Sequence, residues 1–200
     1  MFTLRCTLLR ANRYSLSPLL SPYKRHGKLM SSYWSKFPDF NHNEAAPVKA
    51  EFKRLAWQQG WIKSKRKRKE EYKSDTYRKK KEEKERDIYR EQWAECLESE
   101  LTKQYGDSSL LEGWQKLCRE VGIEDIPQSI KACRKVLKTE VWVNIEELVD
   151  RRRTGKPFKL HESEEALRAY TKATKKFFPL EEAKEDGFLA ALLIHMIVPE

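Results

Sequence analysis

The stretch from Ser109 to Pro157, SLLEGWQKLCREVGIEDIPQSIKACRKVLKTEVWVNIEELVDRRRTGKP, decides the fold of this 200-residue chain. Apolar residues recur within it at the three- and four-residue spacing of α-helices, in three successive runs. The runs are Leu110, Leu111, Trp114, Leu117, Cys118 and Val121; then Ile130, Cys133, Val136 and Leu137; then Ile145, Leu148 and Val149. No single run has enough apolar surface for an isolated helix, so we expect three helices that pack on one another and on their neighbours.

Start and stop signals bracket each of the three runs. The expected starts are a capping box of Ser109 and Glu112, then Pro127 or Ser129, then a capping signature of Asn144 and Glu147; the expected stops are Gly122 and the sequence TGKP at residues 154–157. Residues 138–143 form a short apolar connection with extended character. Trp114 lies in the middle of the first run, so we expect it at the centre of the core.

Two helices are expected before this module. Residues 47–60 combine a proline at the start, an apolar stripe and a final glycine, which is typical of a short amphipathic helix. Trp57 and Trp61 lie near its end, and we expect them in the core or at its rim rather than stacked on nucleic-acid bases. The strongly charged residues 63–105 are predicted to form one long helix, supported by opposite charges four residues apart, which reaches the domain from Ile88 onward.

Two more helices are expected after the module, one from Ser163 to Phe177 and one from Leu180 to about Ile197, with Gly187 as a candidate kink. The sequence therefore predicts an all-α protein: a compact multi-helix domain with a long charged helix projecting from it and a disordered N-terminal arm. The expected divisions are 1–38 as a disordered basic arm or transit peptide, 47–61 as a short helix, 63–105 as the long charged helix and 106–200 as the helical core domain.

The positive charge of the chain is concentrated in its N-terminal half. The net charge is +10, of which residues 1–38 carry +7 with no acidic residue before Asp39. Residues 63–91 carry +6, whereas residues 92–200 carry −3. Such a layout is typical of proteins that contact polyanions through a basic extension.

The acid-free, Arg- and Ser-rich residues 1–38 allow two interpretations. The composition is that of a mitochondrial transit peptide. Alternatively, residues 1–29 are an extension ahead of Met30 or a disordered arm, since two Ser-Pro pairs interrupt any long helix. The first interpretation predicts the mitochondrion; the second, together with the basic run at residues 65–69, predicts the nucleus, which we favour within an intracellular location.

The four cysteines are far apart and form no CxxC pair. Cys96, Cys118 and Cys133 fall on apolar helix faces, so we expect buried, reduced thiols rather than zinc ligands, and hence a reducing compartment. The longest apolar run, residues 188–198, is shorter than the roughly 20 residues that a membrane span requires.

Candidates for catalysis are weak. His26, His42, His161 and His195 have no recognisable nucleophile partner, and the TGK at residues 154–156 lacks the glycine and strand that a phosphate loop requires. We therefore expect no enzymatic activity, no metal, no cofactor and no small-molecule substrate.

Clustered cations are the candidate contact residues, because they displace counterions from a phosphate backbone. The predicted nucleic-acid contacts are Lys65, Arg66, Lys67, Arg68, Lys69, Arg78, Lys79, Lys80, Lys81, Arg151, Arg152 and Arg153. Two of these clusters also suit a different role: residues 65–69 match a nuclear import signal or a solvated helix, and residues 151–153 match the negative end of a helix dipole.

Several motifs together resemble a family of small, functionally uncharacterised fungal proteins. They are FPDF at residues 37–40, LEGWQKLCREVGI at 111–123, VNIEELVD at 143–150 and FFPLEEAKEDGFLAALL at 177–193. The resemblance spans residue 33 to the C-terminus and implies no activity, so it transfers no catalytic residue. The basic run at residues 63–84 is longer here than in the family pattern.

We therefore expect a non-enzymatic, nucleic-acid-associated or adaptor protein that contacts DNA or RNA phosphates through its basic helix and arm. The alternative is a helical protein–protein interaction module without nucleic-acid contact, in which the basic run only adds solubility. Deleting residues 63–84 distinguishes the two, because binding of a protein partner through the helical module survives that deletion.

Overall fold

The computed structural model describes residues 32–64, 75–178 and 187–193. The expectations for the arm before residue 32, for the basic residues 65–74 and for most of the last helix lie outside these described residues.

The described residues are mainly helical, which confirms the all-α class. They comprise a 3-10 helix (Tyr33–Lys36) and α1 (Val48–Gln58), α2 (Asp75–Tyr105), α3 (Leu111–Glu120), α4 (Ile130–Glu140), α5 (Ile145–Thr154), α6 (Glu164–Thr174) and α7 (Phe188–Leu192). Two short antiparallel strands, β1 (Trp142–Val143) and β2 (Leu160–His161), pair Trp142 with His161 and Val143 with Leu160. The connection after α4 is thus extended only at its end.

The three central helices form the core as the apolar spacing predicts. Trp114 of α3 is fully buried; its indole N–H donates to the Ser108 carbonyl at 2.7 Å, and its ring lies 4.6 Å from that of Phe188. Cys118 and Cys133 are also fully buried and are free thiols, as is Cys96 of α2. Leu110 departs from the expected stripe, because it precedes the first helical residue and is half exposed.

The long helix α2 runs from solvent onto the domain. Its first turns are largely exposed, whereas Trp93, Leu97 and Leu101 farther along are buried. The predicted start at Lys63 is wrong, because Lys63 and Ser64 are not helical and the helix in the described residues begins at Asp75.

Glu85 also departs from the expectation that this helix reaches the domain only from Ile88 onward. Its side chain is buried, and a carboxylate oxygen lies 3.4 Å from the Lys63 ammonium. Lys63, in the segment after α1, therefore lies beside the middle of α2.

Two of the expected helix caps form and one does not. Ser129 and Asn144 accept hydrogen bonds from the amides of Ala132 and Glu146, both at 3.2 Å. Glu147, the second residue of the predicted Asn144 signature, pairs with Lys176 instead. The predicted capping box of Ser109 and Glu112 is wrong: the Ser109 amide instead donates to the Asp107 carboxylate at 2.8 Å, which makes an Asx turn.

Gly187 does not kink the last helix. It precedes Phe188, where α7 begins, and its backbone is extended rather than left-handed (φ −82°). A side chain at Gly187 would meet the Glu98 carboxylate at 2.6 Å. The glycine therefore provides room for Glu98, which accepts a hydrogen bond from the Leu189 amide.

Aromatic residues ahead of α1 complete the core, which the apolar spacing does not predict. Tyr33, Trp34 and Phe40 are buried, and the Tyr33 amide donates to the Ser99 hydroxyl of α2 at 2.9 Å. Among the described helices, none combines the length and apolarity that crossing a membrane requires.

Candidate functional site

An open cleft of about 720 Å³ separates the last turns of α3 and α5. Its lining side chains are those of Lys116, Arg119 and Glu120 from α3 and of Arg151 and Arg152 from α5. Lys116 and Arg119 lie on the face of α3 opposite the buried Trp114 stripe, so the packing of α3 on the core directs them outward.

One carboxylate stands among four cations in this cleft, so the lining carries a net charge of +3. The Glu120 carboxylate accepts from Nη2 of Arg152 at 2.5 Å and from its Nε at 3.5 Å, and lies 3.8 Å from Nε of Arg151. The Glu120 side chain is only 10% exposed, whereas those of Arg151 and Arg152 are 49% and 48% exposed. The carboxylate therefore forms the floor and the guanidinium groups form the rim.

Aromatic rings hold both rim arginines in place. The Arg151 guanidinium lies 5.2 Å from the centre of the Phe158 ring, and the Arg152 guanidinium lies 5.4 Å from the centre of the Tyr105 ring. Such stacking fixes the plane of a guanidinium while leaving edge donors available. The hydrogen bond to Glu120 raises the pKa of Arg152, and burial raises the pKa of Tyr105, so both groups keep their protons at neutral pH.

Arg153 faces the opposite way from its two neighbours. Its side chain is 5% exposed and lies 3.1 Å from the Glu100 carboxylate, while further guanidinium donors reach the carbonyls of Ala46 and Asn43. Successive residues of a helix point about 100° apart, so three consecutive arginines cannot share one face. Arg153 is therefore a structural residue, and the prediction that it contacts phosphate is corrected.

The predicted contact residues of α2 form a separate group that does not line the cleft. Lys79 and Lys80 are exposed, Lys81 is partly buried, and Arg78 pairs with Asp75 at 2.7 Å. The predicted contacts Lys65, Arg66, Lys67, Arg68 and Lys69 lie outside the described residues.

Lys116, Arg119 and Glu120 are not among the contact residues predicted from the sequence. Their spacing of three and four residues on the polar face of α3 was a visible signal of a shared surface. The sequences of α3 and α5 do not determine how the two helices pack. They therefore do not show that this surface lies beside Arg151 and Arg152.

A second depression of about 470 Å³ lies between α5 and α6 and is already occupied by internal contacts. The Glu147 carboxylate in it accepts from the Tyr170 hydroxyl and the Lys176 ammonium, and Asp150 accepts from the Val48 amide at 2.7 Å. These contacts join α6 and the start of α1 to α5.

The described histidines take part in packing. His42 stacks on Trp34 with ring centres 4.0 Å apart, and His161 contacts the Tyr170 ring at 4.8 Å. Within the described residues, no three His, Cys, Asp or Glu side chains converge in a way that could hold a metal ion.

No protein-family model, curated protein or solved structure matches this chain.

Proposed function

We propose that this protein is a non-enzymatic, nucleic-acid-associated protein that binds phosphate backbones in the basic cleft between α3 and α5. The observation that carries the proposal is the convergence of Lys116, Arg119, Arg151 and Arg152 from two helices on one open cleft. Planar guanidinium groups match the oxygen pairs of a phosphodiester. The helix dipole alone would favour cations at the end of α5, but it gives no reason for Lys116 and Arg119 to meet them.

We also propose the exposed cations of α2 as a second contact surface, separate from the cleft. Lys79 and Lys80 are exposed in the first turns of α2, and the basic sequence at residues 65–69 precedes them. Contacts of this kind are electrostatic and tolerant of sequence, so DNA and RNA are both candidate ligands. We propose the nucleus as the location, with the mitochondrion as the alternative; N-terminal sequencing of the native protein distinguishes them.

The test is a fluorescence anisotropy titration of a labelled 20-base-pair DNA duplex and of an RNA of equal length, between 50 and 200 mM salt. The wild-type protein should bind both, and its affinity should fall as salt rises. The double variant R151Q/R152Q should bind the duplex at least about tenfold more weakly at 50 mM salt, with a shallower salt dependence.

The matched control is K131Q/K135Q, which removes the same two charges from an exposed face of α4 outside the cleft. Its binding should stay within about twofold of wild type, because non-contacting charges act only through a screened field. Equal losses in both double variants, or no wild-type binding at 50 mM salt, would contradict the proposal.

One observation favours the alternative of a protein-interaction module. Leu110, Leu160 and Phe177 are large hydrophobic side chains with 45–50% of their surface exposed. A protein partner that binds through such residues would be retained at high salt, because apolar contacts are not screened. A complex that is stable at 500 mM salt and unaffected by R151Q/R152Q would favour this alternative.

A further inference from the structure

The Glu120 carboxylate occupies the place in the cleft that suits a bound phosphate. It accepts from two donors of Arg152, at 2.5 and 3.5 Å, and lies 3.8 Å from a donor of Arg151. A carboxylate and a phosphate use the same pairs of oxygens to accept from a guanidinium. A phosphate that binds Arg152 through the donors facing Glu120 must therefore displace this internal carboxylate.

The depth of Glu120 separates it from an ordinary surface ion pair. Its side chain is 10% exposed, whereas Arg151 and Arg152 are about half exposed. The carboxylate therefore lowers the positive charge of the cleft, and the cleft stays open to solvent. Displacing the Glu120 carboxylate breaks its ion pairs with the two arginines. A single anion that reaches only Arg152 replaces one of these ion pairs with another of similar energy, so it binds weakly. A polymer whose neighbouring phosphates also reach Lys116 and Arg119 gains from all four cations.

We propose that Glu120 is an internal competitor, which holds Arg152 in the unbound protein and lowers the affinity of the cleft for phosphate polymers. This inference rests on the proposed function, since it concerns the same cleft. It assigns to Glu120 a role in setting the affinity for phosphate polymers and the salt dependence of binding. It predicts that removing the negative charge of Glu120 strengthens binding.

The test compares wild type, E120Q and E124Q in the duplex titration described above. E120Q should bind roughly three- to tenfold more tightly at 50 mM salt, because the ion pairs no longer compete with the ligand. It should also steepen the slope of log affinity against log salt by about 0.9, the value for one more neutralised phosphate. E124Q removes the same charge from an exposed residue outside the cleft, so its slope should match wild type.

A second variant separates charge from contact. E120D keeps the charge but shortens the side chain by one methylene, so its affinity should lie between those of wild type and E120Q. Adding R151Q/R152Q to E120Q should abolish the gain. Thermal unfolding followed by circular dichroism verifies that each variant is folded, and E120D provides the comparison if E120Q is not.

The outcomes distinguish this inference from the proposed function. If R151Q/R152Q weakens binding but neither E120Q nor E120D strengthens it, Glu120 orients Arg152 rather than competing for it, and only this inference is overturned. A gain of equal size in E124Q, with no change in slope, also overturns it, because net charge then explains the effect. If neither wild type nor E120Q binds the duplex or the RNA, both proposals fail.

Discussion

The Arg153 guanidinium lies 3.1 Å from the Glu100 carboxylate, and the two side chains are 5% and 4% exposed. The same carboxylate oxygen accepts the indole N–H of Trp34 at 2.6 Å. Arg153 also donates to the carbonyls of Asn43 and Ala46. One buried ion pair thus joins the end of α5 to α2 and to the segment that precedes α1.

Replacing either member of this pair should destabilise the protein strongly. R153A and E100A should each lower the free energy of unfolding by about 3 to 5 kcal/mol, because each leaves a buried charge without its partner. R152A, one residue away, should lower it by less than about 1 kcal/mol, because Arg152 is half exposed and Arg151 remains beside the Glu120 carboxylate. Urea denaturation followed by tryptophan fluorescence measures all three. Equal effects of R153A and R152A would contradict the assignment of Arg153 to the interior.

His42 should make stability depend on pH below neutrality. Its Nε2 lies 3.0 Å from Nη2 of Arg153 and has to act as an acceptor there, since the guanidinium carries only donors. Burial and the Arg153 charge lower the pKa of His42, so the unfolded state binds a proton more readily. The stability due to His42 is therefore fully present above its ordinary pKa of about 6.5 and is lost as pH falls through the lowered value.

The variant H42Q isolates this contribution, because glutamine offers an acceptor that does not titrate. Between pH 7 and pH 5, the free energy of unfolding of H42Q should decrease less than that of wild type. Urea denaturation at half-unit pH intervals measures the difference. Parallel pH profiles for the two proteins would show that His42 does not titrate differently in the folded state.

Trp114 should be among the most costly residues to truncate. W114A should lower the free energy of unfolding by about 3 to 5 kcal/mol, through lost transfer energy and the cavity left beside Phe188. K80A on exposed α2 should change it by less than about 0.5 kcal/mol. If urea denaturation found W114A as harmless as K80A, the core built around α3 would be wrong.

The three described cysteines should resist thiol reagents in the folded protein. Cys96, Cys118 and Cys133 are fully buried, and burial raises the pKa of Cys118 to about 12, so little thiolate forms at pH 8. In a C6S variant, Ellman's reagent should detect less than one thiol per chain under native conditions and three in urea. Rapid reaction of the folded variant would place at least one of these thiols at the surface.

The sequence predicts the buried stripes well and the local chemistry of helix ends less well. Trp114, Leu117 and Leu137 are buried as their spacing requires, because helical periodicity depends only on which residues are apolar. A capping box also needs particular backbone angles at the first residue, and Asp107 provides a competing partner that takes the Ser109 amide. The capping-box pattern consists of Ser109 and Glu112, so it does not take Asp107 into account.

The candidate site shows the same division. The sequence identifies Arg151 and Arg152, yet it cannot separate them from Arg153, because that choice depends on the rotation of α5 against α2. It also cannot pair α5 with the polar face of α3, since contacts between helices follow from packing rather than from either helix alone.

A shortened form of this protein has to include the 3-10 helix at Tyr33–Lys36. A fragment that starts at Pro47 retains every described helix from α1 to α7 but loses Tyr33, Trp34 and Phe40. The Glu100 carboxylate would then lose its indole donor, and the face of Phe52 that packs on Tyr33 would meet water. Fragments for crystallisation or NMR should therefore begin no later than Ser32.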